Sequence, residues 1–412
     1  VIDSEFSSIP ALFMSVAPSS FHLTFRRVVF ALWIIALLVV SARIIFVSHR
    51  NDLFAIYTDA GTRWLRGEPL YTTTSGFIYS PLVAAFFVPF SFLPHWLGAI
   101  LWRWANAVAL VGAISWWLKS RLHAKIEPSQ FPLVFLLLLP LAIGNLNNGQ
   151  VNPLMIGLVM MAILAAYSGR WTLSAVCVAI ATYFKVYPLS VGLLLVLIYP
   201  RQLVWRLFIA LLIFGILSFL LQHPAYVTEQ YQRWFHTRVN DNRRMNHGAS
   251  RDFAMILKAL HINLSKQAFM VFQLLASGGT AAVCFMGKVC GWTTEHLLVT
   301  LFTLACCWML LFGPSTESAT YIMLAPAVVF ALIQALREPT PPWMQGLLFG
   351  SFAILLSALV LNSFFNIKKN YYSMSVQPIG AVLFILYALC LALRRQKPIG
   401  SPSKPRKLNA RS

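Results

Sequence analysis

VVFALWIIALLVVSARIIFV, residues 28–47, is twenty residues long and carries one charge, Arg43. A helix needs about 20 apolar residues to cross the hydrocarbon core of a bilayer, so this stretch reads as a transmembrane span and sets the class of the protein. Runs of the same kind recur at 96–118, 130–144, 150–168, 203–222, 264–287, 295–313, 318–336, 343–364 and 377–393. Between 171 and 199 the apolar run is interrupted at Lys185, Tyr187 and Pro188, which predicts two short helices meeting near one face. The whole chain agrees with these runs. Of 412 residues 58% are apolar and 11% charged, with a mean hydropathy of +0.71, against about a quarter charged in an ordinary soluble domain. The sequence therefore predicts an all-α polytopic integral membrane protein of about 12 transmembrane helices, placed in the cell membrane as a multi-pass protein.

The cations orient the spans, because Lys and Arg in short loops mark the cytoplasmic side. Arg26 and Arg27 follow a weakly apolar stretch instead of preceding it, so residues 1–27 are expected to form a cytoplasmic tail rather than a secretory signal. Lys119, Arg121, Lys125, Arg170, Arg201, Arg206, Lys288 and Arg337 then all fall on the same side, provided PLVAAFFVPFSFL at 81–93 does not cross. Thirteen residues between prolines fit a re-entrant or interfacial helix better than a span. The scheme gives one membrane domain over 28–395, external loops at 48–80, 223–262 and 365–376, and a basic, disordered cytoplasmic tail at 396–412.

A net charge of +20, from 32 basic and 12 acidic residues, would raise the question of nucleic acid in a soluble protein. Here topology and anionic membrane lipid account for the cations, no nucleic-acid module is recognisable, and no nucleic-acid partner is expected. The external loops break the usual bias: 223–262 carries Arg233, Arg238, Arg243, Arg244, Arg251 and Lys258, and Lys368 and Lys369 lie in the third loop. Such loops suit an anionic head group, although long loops also translocate regardless of charge. Cys177, Cys284, Cys290, Cys306, Cys307 and Cys390 lie in or beside apolar runs without metal-ligand spacing and read as small core residues. No HExxH, paired-histidine or carboxylate cluster supports a metal, no Gly-rich phosphate loop is present, and no cofactor is expected.

An ion-coupled transporter normally keeps an ionisable residue near the midplane, and none of the twelve acids falls there. Chemistry at the outer surface is the better reading, a lipid or solute translocator the alternative. The first external loop, NDLFAIYTDAGTRWLRGEPLYTTTSGFIYSP at 51–81, supplies the base: Asp52 or Asp59, two helical turns apart and expected to face the same way. Structural roles compete, a helix cap for Asp52 and an i, i+4 ion pair with Arg63 for Asp59. Tyr57, Tyr71 and Tyr79, with Trp64 and Phe77, can stack on a sugar or anchor at the interface. The amide-rich turn with Asn145, Asn147, Asn148, Gln150 and Asn152 suits sugar hydroxyls, or is a capped inter-helix turn.

Together these motifs resemble glycosyltransferase family 87. The resemblance runs through Asp52, Tyr57, Ala60, Gly61, Gly67, Pro69, Tyr71, Tyr79, Pro81 and Leu82. It continues at Trp102 and Asn106, in GNLNNGQVNPLM with Gly149, Gln150 and Asn152, and in FKVYPL with Lys185 and Pro188. It implies a C-type glycosyltransferase architecture, in which mannose or arabinofuranose passes from a polyprenyl phosphate donor to a glycolipid or polysaccharide acceptor, inverting at the anomeric carbon, at an extracytoplasmic site. The spacing from Asp52 to Ala60 and Gly61 is one residue longer than the family's, which leaves the base open between Asp52 and Asp59. Lys185 is the leading partner for the departing phosphate, with a snorkelling interfacial lysine as its structural counterpart. Arg251, in NHGASRDFAMIL, is a second candidate, and His247 beside it is expected to assist the base or to be merely solvated.

Overall fold

The computed structural model describes residues 19–47, 52–72, 75–123, 126–239, 250–313, 316–338, 340–364 and 371–394. Among them every regular element is a helix. The first, α1 (Ser19–Phe46), begins ahead of the apolar run at 28. It is followed by the amphipathic α2 (Leu53–Arg66) and the short α3 (Pro81–Ser91). Next come α4 (His95–Lys119), α5 (Phe131–Asn147), α6 (Asn152–Tyr167), α7 (Trp171–Phe184), α8 (Leu189–Ile198) and α9 (Pro200–Leu221). The second half holds α10 (Pro224–Val239), α11 (Phe253–Ala259), α12 (Lys266–Val289), α13 (Thr294–Leu311), α14 (Ala325–Ala335), α15 (Pro342–Phe364) and α16 (Tyr371–Arg394).

Among the described residues seven helices meet the length and hydropathy of a membrane span: α1, α4, α5, α9, α12, α13 and α16. Five more apolar helices, α3, α6, α7, α8 and α14, are 10–16 residues long, and the apolar α15 runs for 23. The expected count of about twelve therefore exceeds the long helices, and the chain chemistry says why. The run at 171–199 does break at Lys185, whose extended backbone ends α7, and Pro188 caps α8. The expected span 318–336 is corrected: it opens as a 3-10 helix over Ser318–Met323, and the α-helix starts at Ala325, with Pro326 in its first turn. At 11 residues α3 is about 16 Å long, too short to cross, and it packs against α2 instead.

The loops sort into two ends. At one, Gln222 Nε2 donates to the Trp64 carbonyl (2.8 Å), Tyr226 Oη to that of Glu68 (2.7 Å) and Ser80 Oγ to that of Tyr183 (2.7 Å). At the other, Arg337 pairs with Glu127, Tyr167 Oη donates to Glu295 (2.9 Å), and the Lys288 ammonium lies 5.2 Å from the centre of the Tyr199 ring. This second end gathers Lys119, Arg121, Arg170, Arg201, Arg206, Lys288 and Arg337, the cations that the loop-charge reading groups together. Lys125, Lys368 and Lys369 lie outside the described residues.

Candidate active site

The site is built where the first loop meets the turn between α5 and α6. Asp52 is the N-cap of α2: its backbone is extended (φ −88°, ψ 111°) and its Oδ1 accepts from the Phe54 amide at 3.0 Å, satisfying one of the helix's unpaired N–H groups. Because it caps the helix rather than belonging to it, its side chain turns inward. The expectation that Asp52 and Asp59 share a face is corrected: the Asp52 side chain is 3% exposed, while that of Asp59 is 49% exposed and bonds Arg63 at 2.7 Å.

Asp52 meets a residue that the sequence reading passed over. Arg103 Nη2 donates to Asp52 Oδ1 at 2.8 Å and to the Asn147 carbonyl at 3.0 Å, while its Nη1 reaches the Ala99 carbonyl at 3.0 Å. Its side chain is 2% exposed. The second carboxylate oxygen, Oδ2, has no hydrogen-bond partner among the described residues, and His95 Nε2 stands 3.3 Å from it. The His95 side chain is 40% exposed and links this carboxylate to open surface. The available signal was Arg103 itself, a cation within an apolar helix, which in a membrane protein marks function by default. It lies between Trp102 and Asn106, both noted in the sequence.

The turn at 148–152 closes the site. Gly149 adopts φ +66°, and a Cβ there would stand 3.0 Å from Asp52 Oδ1 and 3.2 Å from Arg103 Cζ, so only glycine lets the backbone reach the ion pair. Trp102 Nε1 donates to the Gly149 carbonyl (2.9 Å), and the Leu53 amide donates to that of Asn148 (3.2 Å). Asn106 Oδ1 accepts from the Leu154 amide (3.1 Å), holding the start of α6. Beyond the turn, Asn152 Nδ2 donates to Asn145 Oδ1 (3.1 Å) and Gln150 Oε1 (3.4 Å), and Asn152 Oδ1 accepts from Lys185 Nζ at 2.7 Å. Asn145 Nδ2 and Tyr187 Oη are buried without hydrogen-bond partners among the described residues. The ammonium of Lys185 lies 5.8 Å from the centre of the Tyr187 ring. Thus Asp52 lies against the start of this five-residue turn, at Asn148 and Gly149, and Lys185 against its end, at Asn152.

The tyrosines play a different part. Tyr57 is fully buried, stacks on Phe87 (4.7 Å) and shares a 2.9 Å hydrogen bond with Tyr79, which is 6% exposed. Burial, then Tyr79, pushes the Tyr57 phenol well above its ordinary range, so it stays protonated. Tyr71 Oη donates to the Tyr79 carbonyl at 2.6 Å. These side chains brace the loop rather than face open space. Asn147 contributes its carbonyl to Arg103, and its amide lies on the exposed side of the turn, 3.5 Å from Asn148 Oδ1.

Arg251 belongs to an adjoining locus. Its amide donates to the Thr316 carbonyl (2.6 Å) and its Nη1 to Gln377 Oε1 (3.2 Å), and burial lowers its guanidinium below the ordinary value. Glu317, the next residue after Thr316, is close enough to Tyr57 to help raise that phenol. His247 lies outside the described residues.

The family model for glycosyltransferase family 87 matches residues 77–314, more than half of the chain, and takes in Arg103, the 145–152 turn, Lys185 and Arg251. A polyprenol-phosphate-mannose-dependent alpha-(1-2)-phosphatidylinositol pentamannoside mannosyltransferase of Mycobacterium tuberculosis (strain CDC 1551 / Oshkosh) is 31% identical over 125 residues. That alignment covers 29% of this chain and 28% of the relative.

Proposed function

The chain belongs to glycosyltransferase family 87, and from that premise we propose that it is a membrane enzyme moving one sugar from a polyprenyl phosphate to a glycolipid or polysaccharide acceptor. The sugar is mannose or arabinofuranose, and the site faces the extracytoplasmic side of the cell membrane. The observation that carries this reading is the 148–152 turn, which holds a buried carboxylate at one side and an ammonium at the other.

Asp52 is the base. Its Oδ1 is occupied by the Phe54 amide and Arg103, so the proton of the acceptor hydroxyl goes to Oδ2, beside His95. The acceptor oxygen bonds to the anomeric carbon as the bond from that carbon to the phosphate oxygen breaks, which inverts the centre in one displacement. Polyprenyl phosphate leaves with the electron pair, and Lys185, aimed by Asn152, stabilises its charge. Gln150, Asn147 and the free donor of Asn145 offer amides to sugar hydroxyls. Arg251 steers the anionic substrate from its adjoining locus, where Gln377 holds it.

The test is transfer of radiolabelled sugar from polyprenyl phosphate mannose and polyprenyl phosphate arabinofuranose to membrane lipids by the purified protein. Asp52→Asn is expected to lower the rate by about a hundredfold or more, the scale of a lost general base, while keeping the helix cap that Asn provides equally well. Asp59→Asn removes only an exposed pair worth about 0.5 kcal/mol and is expected to stay within about twofold of wild type. No transfer from either donor would overturn the reading, and a reversed ranking of the two acids would move the base to Asp59.

A further inference from the structure

A second site lies away from this one, between α1, α4 and α5. An open groove of about 910 Å³ runs along Trp33, Leu37, Val108, Val111 and Phe135. At one mouth stand Arg26, Arg27 and Lys119, all exposed, and none of them forms an ion pair among the described residues. Among the described residues no carboxylate lines the groove. Gly112 is part of its wall, and a Cβ there would meet nothing within 4 Å, so the missing side chain leaves open space. We propose that this groove binds an anionic phospholipid, its phosphate at Arg26, Arg27 and Lys119 and its acyl chains along α1 and α4.

Two features support that occupant. An apolar groove ending in cations that have no acidic partner among the described residues complements one molecule in a membrane above others, a lipid with hydrocarbon chains below a negative head group. The position then separates phospholipid from sugar donor. His95, at the Asp52 site, opens α4, and Lys119 closes it 24 residues on, about 36 Å away along the helix. A polyprenyl phosphate held at these cations would place its phosphate at the wrong end of α4 for transfer. The bound lipid bridges α1 to α4 at the end remote from the chemistry, and its role is to hold the first helix against the bundle.

Native mass spectrometry of the full chain, titrated with phosphatidylglycerol, phosphatidylcholine and polyprenyl phosphate, tests the proposal. Wild type is expected to retain one phosphatidylglycerol in preference to phosphatidylcholine. Alanine at Arg26, Arg27 or Lys119 is expected to weaken phosphatidylglycerol by about fivefold per cation removed, with little change for phosphatidylcholine. Gly112→Phe fills the groove from a position with room for a side chain and is expected to abolish retention, while its helical circular dichroism and sugar transfer remain at wild-type level. Equal retention of the two phospholipids, undiminished binding to Gly112→Phe, or preferred binding of polyprenyl phosphate would each overturn it.

Discussion

Asp52 shows how one side chain serves structure and chemistry together. Capping fixes Oδ1, Arg103 neutralises the charge that burial would otherwise penalise, and Oδ2 is left facing His95. The cap and the Asp59–Arg63 pair were both readable from local spacing, because each involves residues within four positions. The pairing of Arg103 with Asp52 was not, since the two lie 51 positions apart and no pattern along the chain joins them. Gly149 is the residue on which this arrangement turns. Gly149→Ala forces a side chain into a left-handed backbone and against the ion pair, at a cost of about 1–2 kcal/mol for the backbone alone. The expected outcome is a lower thermal unfolding midpoint together with a transfer rate reduced well beyond that of Asp59→Asn. Unchanged transfer would show that the ion pair and the turn need not touch for catalysis.

The amphipathic α2 carries Asp52 to its place, and its buried face explains a motif that looked chemical. Phe54, Tyr57, Ala60, Gly61 and Trp64 form one stripe, and a Cβ at Gly61 would stand 2.9 Å from the backbone of Phe87 in α3. The Tyr-x-x-Ala-Gly sequence is thus a close-packing face, with Tyr57 filling space beside it. Gly61→Ala should push the two helices apart and cost about 1–3 kcal/mol, as overpacking does. Transfer is then expected to fall although no substituted atom approaches the site, and a matching loss of thermal stability would tie the two effects. Helix ends were legible wherever a residue forces them. Gly67 stops α2 in a left-handed conformation, and Pro188 follows the break at Lys185. The 3-10 stretch at Ser318–Met323 was hidden because it runs without a break into the apolar Ala325–Ala335 helix, and it packs against α6 and α5.

Across the whole molecule the two ends make separate sets of contacts, and this separation is what makes the orientation testable. The end that holds Asp52 also holds Glu68, Glu229 and Asp252, while the opposite end gathers the short-loop cations with Glu127 and Glu295. If short-loop cations stay in the cytoplasm, the candidate site opens on the other side, where a polyprenyl-linked sugar would have to be presented. A protein with Cys290, the exposed cysteine, replaced by serine gives the background for single-cysteine reporters. Glu68→Cys and Glu127→Cys are suitable, since both side chains are about half exposed, at 46% and 56%, and their ion pairs are surface pairs of small worth. A membrane-impermeant maleimide is expected to label the first in intact cells and the second only after permeabilisation. The reverse pattern would put the carboxylate on the cytoplasmic side, because Glu68 and Asp52 belong to the same end through α2 and cannot be separated by a bilayer.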